Sequence, residues 1–340
     1  VRTPPGFKEA YEQYVEGGWP SLDQPARYGG QDLPMSMGVP IREMNGTANW
    51  SWAMYPGLSH GAMETIEEHG SEEQKAMFME PLVSGRWTGT MCLTESHCGT
   101  DLGLLRTKAE QAADGTYRIT GSKVLISSGE HDLAENIVHI VLARLPDSPP
   151  GTKGISLFIV PKFIPNDDGS VGERNGVRCG ALERKMGIHG NSTCELSFDD
   201  AVGYLVGEEN RGLHYMFTFM NFARIGTGLQ GLAHTELAFQ QSLAYSRNRL
   251  QMRSLSGPKN PSGPADPIIV HPDVRRMLLT QKAFAEGGRA LIYFATAQGD
   301  ILTKSDDPEA RELANHVLTF LTPIIKAFRT ETGFEAANLG

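Results

Sequence analysis

The apolar residues of this chain follow a helical period, then a strand period, then a helical period again, and this order constrains the fold most. The patterns predict helices from residue 7 to about 87, short strands from about 88 to 205, and long packed helices beyond about 206. Parallel α/β folds alternate helices and strands along the whole chain, so separate blocks indicate an α+β, multidomain protein instead. We therefore expect an N-terminal helical domain over 1–87, a middle β-domain over 88–205 and a C-terminal helical bundle over 206–340.

Local signals add detail to this division. Ser71 precedes the residues EEQ in the arrangement of a capping box, which predicts that a helix begins directly after Ser71. The segment SLSGPKNPSGPADP, residues 254–267, contains too much Pro and Gly for a regular element and predicts a surface loop between two helices. The last helical segment contains Pro323, which predicts a bend because proline lacks a backbone donor.

The sequence GTGLQG, Gly226–Gly231, satisfies the GxGxxG pattern of dinucleotide-binding folds. That fingerprint requires a preceding strand, whereas the residues FTFMNFAR before it continue the helical pattern. We therefore interpret these glycines as small residues that allow helices to pack closely, rather than as a nucleotide site.

Composition narrows the class of function. A net charge of -9 and a pI near 5.6 argue against a nucleic-acid surface, because phosphate binding needs clustered Lys and Arg. No apolar run predicts a membrane span, and the first residues resemble no targeting signal, so we expect a cytoplasmic protein. The four cysteines form no CxxC pair, which predicts reduced thiols and no metal site. Small molecules or other copies of the chain are the expected partners.

Two polar segments stand out where the predicted β-domain begins. CLTESHCGTDLG, residues 92–103, offers hydroxyls and backbone amides that suit a flavin edge or a phosphate, and it could equally be a polar turn. KVLISSGEHD, residues 123–132, predicts a strand that ends in two serines and a glycine, and alone it is an ordinary strand end.

Four ordered blocks of sequence carry a resemblance that no single block carries. The blocks are CLTESHCGTD, KVLISSG, LERKMGIHGNSTCELSFDD with LVGEENRGL, and YSRNRLQMRSL. Together they resemble the acyl-CoA dehydrogenase family, and the similarity runs over nearly the whole chain. The segments KMGIHGNSTC and LQGLAHTELAFQ most resemble the branch of the family that acts on 3-methylthio acyl groups.

The resemblance implies an FAD-dependent enzyme that converts an acyl-CoA thioester to the trans-2-enoyl-CoA. It also implies an electron-transfer flavoprotein as electron acceptor and a homodimer or homotetramer as the working assembly. Two other readings stay open: an acyl-CoA oxidase or flavin monooxygenase on the same scaffold, and a non-catalytic scaffold that has lost its base.

The family's cofactor positions map onto the two polar segments and onto two residues farther along the chain. They are Met91, Leu93, Thr94, Gly99, Thr100, Leu125, Ile126, Ser127, Arg249 and His271. Arg249 corresponds to an arginine that reaches the flavin pyrophosphate of a neighbouring chain. The glutamine that often follows the family's histidine is replaced here by Pro272.

The resemblance also implies substrate-binding roles for Thr100, Asn221 and Arg224. A carboxylate base must lie within hydrogen-bond reach of the substrate α-carbon. Most family members carry it in a segment that would follow Gly340, and a minority carry it at the position of Ala223. We therefore assign no catalytic residue and expect the chain to be a fragment that lacks the C-terminal glutamate segment. Glu95, Glu195 and Glu209 are interpreted as solvated or structural carboxylates.

Overall fold

A computed structural model describes all 340 residues of the chain. The helices are α1 (Phe7–Glu16), α2 (Met35–His69), α3 (Glu72–Val83), α4 (Gly212–Asn248), α5 (Pro272–Lys304) and α6 (Pro308–Leu339). The first five strands are β1 (Trp87–Cys92), β2 (Lys108–Gln111), β3 (Tyr117–Ser127), β4 (Asn136–Ala143) and β5 (Ser156–Pro161). The others are β6 (Phe163–Pro165), β7 (Val171–Arg174), β8 (Val177–Leu182) and β9 (Thr193–Val206).

The order of these elements confirms the predicted α+β class. Helices α1 to α3 precede every strand and helices α4 to α6 follow every strand. The predicted start of α3 is also confirmed: the Ser71 hydroxyl accepts from the Gln74 N–H at 3.2 Å, and the Gln74 side chain accepts from the Ser71 N–H at 3.1 Å. Helix α6 continues through Pro323.

The chain divides into two compact units. The first contains residues 1–33 and 51–223, and the second contains residues 34–50 and 224–340. Helix α2 contributes to both, and its backbone leaves helical geometry at Asn49, with φ -159° and ψ 97°. The sequence patterns do not predict this interruption.

A mixed sheet of seven strands forms the centre of the first unit. Its order is β1-β4-β5-β9-β3-β2, with β8 also paired to β9. Strands β1 and β4 are parallel, whereas the remaining pairs are antiparallel. Strand β4 is buried at every position, because apolar clusters cover both of its faces.

The second unit is helical, and its glycines allow close approach of α4 and α6. A Cβ at Gly228 would lie 2.4 Å from Ile325, and one at Gly231 would lie 2.0 Å from the carbonyl oxygen of Arg329. Gly226 has open space around it. The interpretation of the GxGxxG pattern as a helix-packing motif is therefore confirmed for its second and third glycines.

Candidate functional site

The two polar segments predicted from the sequence lie side by side in the first unit. One follows β1 and the other ends β3. The backbone N–H of Val124 donates to the carbonyl oxygen of Thr94 at 2.9 Å. A single binding site can therefore draw groups from both segments.

Backbone hydrogen bonds close the turn that follows β1. The Glu95 N–H donates to the Cys98 carbonyl at 2.8 Å, and the Cys98 N–H donates back to the Glu95 carbonyl at 3.1 Å. A Cβ on Gly99 would lie 3.3 Å from the Thr94 methyl group, so glycine allows the turn to pack tightly. Thr94 is partly exposed, while Gly99 and Thr100 are exposed. The turn thus presents short polar groups to its surroundings.

A buried carboxylate lies beneath this turn. Glu95 accepts from the Arg106 N–H at 2.8 Å, the Thr107 N–H at 3.0 Å and the Thr107 hydroxyl at 2.6 Å. The Lys123 ammonium adds a fourth donor at 2.9 Å. Burial alone would raise the pKa of Glu95, but Lys123 and the other donors hold it below its ordinary value. Glu95 is therefore a structural anion. Of the two roles expected from the sequence, a solvated or a structural carboxylate, its burial agrees with the second.

The end of β3 turns an apolar side chain outward. Leu125 has φ +60°, an unusual value for a non-glycine residue, and its side chain is 58% exposed. Ile126 is buried in the apolar cluster of the sheet, so any contact of this residue with a cofactor would have to use its backbone. Ser127 is partly exposed. The strand end therefore combines an apolar surface with a hydroxyl.

Met91 and Leu93 are partly buried and pack against the apolar cluster on one face of the sheet. Cys92, which stands between them in the sequence, is fully buried. These two residues therefore link the core of the first unit to the polar turn.

Two of the three predicted substrate residues, Asn221 and Arg224, lie about one helical turn apart on α4. Asn221 belongs to the first unit and is exposed, whereas Arg224 belongs to the second unit and is partly exposed. Ala223 stands between them as part of the helix, so this position supplies no carboxylate.

The predicted cofactor residues Arg249 and His271 lie in the second unit, at the two ends of the loop between α4 and α5. The Ile268 N–H donates to the Arg249 carbonyl at 2.8 Å. His271 Nε2 donates to the Gln251 carbonyl at 2.9 Å, which fixes the orientation of the ring. Pro272 is the first residue of α5, a position where its missing N–H costs no helical hydrogen bond.

This loop is organised by Asp266, a residue that the sequence patterns did not single out. The buried carboxylate accepts from the N–H groups of Ser254 at 2.8 Å, Lys259 at 2.9 Å and Asn260 at 2.7 Å, and from Arg253 at 3.3 Å. Burial would raise the pKa of Asp266, but these donors lower it to about 2. The Pro- and Gly-rich segment is therefore a loop, as predicted, with an internal anion at its centre.

Glu95, His97 and Cys98 place three potential metal ligands within 4.8 Å of one another. The Glu95 carboxylate already accepts four hydrogen bonds, one of them from an ammonium group at 2.9 Å. Lys123 already neutralises this carboxylate, so the arrangement favours the ion pair over a metal centre.

No helix of this structure combines the length and the apolar character that crossing a membrane would require.

Sequence reasoning missed the groups that hold the candidate site together. Lys123 and Asp266 are fully buried ions, yet each belongs to a residue type that is usually exposed. The strand period gave no signal for Lys123, because a register shift follows it and Leu125, two residues on, is exposed whereas Lys123 is buried. For Asp266, a lone acid within a Pro- and Gly-rich segment was the one hint.

Three family models match consecutive parts of the chain. They are the acyl-CoA dehydrogenase N-terminal domain over residues 2–86, the middle domain over 90–201 and the C-terminal domain over 210–339. The matches follow the order of the helical and β blocks.

Two individual members of this family are similar to the chain over nearly all of its length. The 3-methylmercaptopropionyl-CoA dehydrogenase of Ruegeria pomeroyi is 47% identical over 340 residues, which are 100% of this chain and 57% of that protein. A butyryl-CoA dehydrogenase of Syntrophomonas wolfei is 40% identical over 338 residues, which are 96% of this chain and 55% of that protein. This chain therefore spans little more than half the length of these curated relatives.

A solved structure shows the same fold. The crystal structure of an acyl-CoA dehydrogenase from Bacillus anthracis, complexed with FAD, matches with a TM-score of 0.75 at 24% identity. The match covers 98% of this chain and 54% of that one.

Proposed function

Because this chain belongs to the acyl-CoA dehydrogenase family, we propose that the whole protein oxidises an acyl-CoA thioester to the trans-2-enoyl-CoA with FAD. The observation that carries this proposal is the hydrogen bond between Val124 and Thr94, which joins the two segments expected to bind the flavin. The matches to all three domain models support it independently. We also propose the division at residues 1–87, 88–205 and 206–340 as the domain organisation of the chain.

The groups at the two segments fit a flavin. Leu125 offers an exposed apolar surface of the kind that a ring system covers, and Ser127 and Thr94 offer hydroxyls beside it. When bound, FAD supplies the hydride acceptor, and the chain supplies position and electrostatics. Met91, Leu93, Gly99, Thr100 and Ile126 are proposed to complete this part of the cofactor site.

A second group of residues is proposed to bind the charged half of FAD. Arg249 is exposed and held through its backbone, so its guanidinium suits a pyrophosphate, including that of a neighbouring copy. His271 offers a ring whose orientation is fixed by Gln251. Hydrogen bonds within the chain hold the backbone of Arg249 and the ring of His271, which lowers the entropy cost of binding.

Substrate binding is proposed for Thr100, Asn221 and Arg224. Similarity to the R. pomeroyi protein leads us to propose 3-methylthiopropionyl-CoA as the substrate. Similarity to the S. wolfei butyryl-CoA dehydrogenase makes a short unbranched acyl-CoA the alternative. The base that removes the α-proton is proposed to lie in the whole protein outside these 340 residues, because the position of Ala223 carries no acid.

The first experiment uses the protein encoded by the full reading frame. It is expected to purify yellow, and its flavin absorbance near 450 nm should bleach under anaerobic conditions when the right acyl-CoA is added. A panel of 3-methylthiopropionyl-CoA, butyryl-CoA and a long-chain acyl-CoA identifies the substrate. A colourless, well-folded protein would contradict the proposal.

The same preparation separates the remaining alternatives. Slow reoxidation of the reduced flavin by air, with fast reoxidation by an electron-transfer flavoprotein, supports a dehydrogenase. Fast reoxidation by oxygen supports an oxidase or monooxygenase, and bound flavin that no acyl-CoA bleaches supports a non-catalytic scaffold.

Self-association is proposed from an apolar stripe on α6. Phe320, Ile324 and Phe328 are 69%, 41% and 51% exposed, and their spacing of four residues places them on one face of the helix. We propose that a second copy of the protein covers this stripe in a homodimer or homotetramer. Sedimentation of the full protein tests this: Phe320→Ser with Phe328→Ser should shift the assembly toward monomer, while Met186→Ser, an exposed apolar control, should not. An unchanged assembly would contradict it.

A cytoplasmic location is also proposed, since all four cysteines are free thiols, as is usual in reducing compartments. Fractionation of cells that express the full reading frame checks it, and recovery in a secreted or membrane fraction would contradict it.

A further inference from the structure

A fully buried ion pair lies directly behind the proposed flavin turn. Lys123 is 0% exposed and Glu95 is 5% exposed, and their charged atoms are 2.9 Å apart. Ion pairs buried to this degree rarely add net stability, because desolvation cancels most of the attraction. Neither group is exposed enough to touch a cofactor or substrate. The pair therefore calls for another role.

Lys123 ties the turn to β3 through a second hydrogen bond. Its ammonium donates to the Leu93 carbonyl at 3.0 Å as well as to Glu95. The next carbonyl, that of Thr94, accepts from the Val124 N–H at 2.9 Å. Two successive carbonyls, those of Leu93 and Thr94, therefore accept hydrogen bonds from residues of β3.

The direction of the Thr94 N–H follows from this arrangement. All peptide bonds of the chain are trans, and in a trans peptide the N–H points opposite to the carbonyl of the preceding residue. Since the Leu93 carbonyl accepts from the Lys123 ammonium, the Thr94 N–H points away from that ammonium. Lys123 is fully buried and Thr94 is partly exposed, so this donor is directed away from the core, toward the side where the flavin is proposed to lie.

We propose that Lys123 and Glu95 are positioning residues that direct the Thr94 N–H toward an acceptor atom of the flavin. Glu95 fixes the Lys123 ammonium, and the ammonium fixes the Leu93 carbonyl and hence the peptide plane that carries the Thr94 N–H. This inference rests on the proposed function.

A double variant tests the inference without leaving a buried charge. Lys123→Met with Glu95→Gln removes both charges, and the amide oxygen of the new glutamine can still accept from Thr107. The control is Arg289→Met with Glu43→Gln, which removes an ion pair of the second unit whose carboxylate is 6% exposed and lies in neither polar segment.

The readouts are FAD affinity, the visible spectrum and midpoint potential of the bound flavin, and thermal unfolding of the flavin-free protein, all with the full-length chain. The Lys123 and Glu95 variant should raise the Kd for FAD about tenfold, as expected for the loss of one directed hydrogen bond, and should shift the spectrum and the potential. Its flavin-free Tm should stay close to that of the control variant.

An unchanged Kd and spectrum in the Lys123 and Glu95 variant would overturn the inference, and so would an equal change in the control. A wild-type protein that binds no FAD would instead overturn the proposed function itself, so the two failures are distinguishable.

Discussion

Asn191 holds Ser128 by two hydrogen bonds: its Oδ1 accepts from the Ser128 N–H at 3.1 Å, and its Nδ2 donates to the Ser128 hydroxyl at 2.9 Å. Both residues are buried, and Ser128 has φ +55°. Ser128 directly follows Ser127, the last residue of β3. One side chain therefore fixes the point where the proposed flavin strand ends.

Asn191→Ala should destabilise the protein by about 1–3 kcal/mol, because the buried Ser128 N–H loses its acceptor. FAD binding should weaken in parallel, since Ser127 loses its fixed position. Urea unfolding and fluorescence titration with FAD measure the two effects. Asn166→Ala, which removes an exposed amide in the turn between β6 and β7, serves as the control and should change neither. Normal stability of Asn191→Ala would contradict the assignment.

Leu125→Gly should separate stability from cofactor binding. Glycine adopts φ +60° without strain, so the substitution removes backbone strain from the folded state, while it also makes the unfolded chain more flexible. These two effects oppose each other, so the free energy of unfolding should stay within about 1 kcal/mol of wild type. Loss of the exposed apolar surface should nevertheless weaken FAD binding. Asp147→Gly, at another residue with φ +59°, is the matched control and should leave FAD binding unchanged. Equal FAD affinity in Leu125→Gly and wild type would remove Leu125 from the proposed site.

Two alanine substitutions in the GxGxxG segment should have opposite signs. Gly231→Ala should destabilise the second unit by about 1–3 kcal/mol, because the new Cβ would lie 2.0 Å from the Arg329 carbonyl oxygen. Gly226→Ala has open space and should stabilise α4 by up to about 1 kcal/mol through helix propensity. Thermal unfolding measures both. A tolerated Gly231→Ala would refute close packing at that glycine.

Acid should destabilise the first unit through two buried histidines. Burial lowers the pKa of His131 and of His139 to about 3. The unfolded chain binds these protons near pH 6.5, so stability is full above that pH and falls as the pH decreases toward 3. The expected slope is about 1.4 kcal/mol per pH unit for each histidine.

Urea unfolding at pH 7, 6 and 5 measures this slope while most carboxylates remain ionised. Replacing either buried histidine by Gln should reduce the slope, although it lowers stability at pH 7. His316→Gln removes an exposed histidine and is expected to leave the slope as it is. If all three variants kept the wild-type slope, the buried histidines would not be its cause.

The features that the sequence predicted depend on residues close together in the chain. The change of period fixes the block order, and the capping box at Ser71 needs only the three residues that follow. The interpretation of the GxGxxG segment as a helix-packing motif needed only the observation that a helical pattern, not a strand, precedes Gly226. Local pattern is sufficient in these cases because the determining contacts are themselves local or periodic.

The features that remained hidden depend on contacts between distant residues. Lys123 is buried only because Glu95, 28 residues away, compensates its charge. The left-handed backbone of Leu125 is imposed within a register shift between β3 and β9, which single-sequence patterns do not reveal. The family resemblance supplied candidate residues, but the groups that position them come from tertiary packing.

The carboxylate of Asp266 changes what the segment between α4 and α5 can do. A Pro- and Gly-rich stretch at the surface is ordinarily where a protease first cuts a native chain. Here three amides and a guanidinium converge on one internal anion, so cleavage would first have to break that arrangement. The segment is therefore a rigid corner rather than a tether, and it keeps the backbone of Arg249 and the ring of His271 in fixed positions at its two ends.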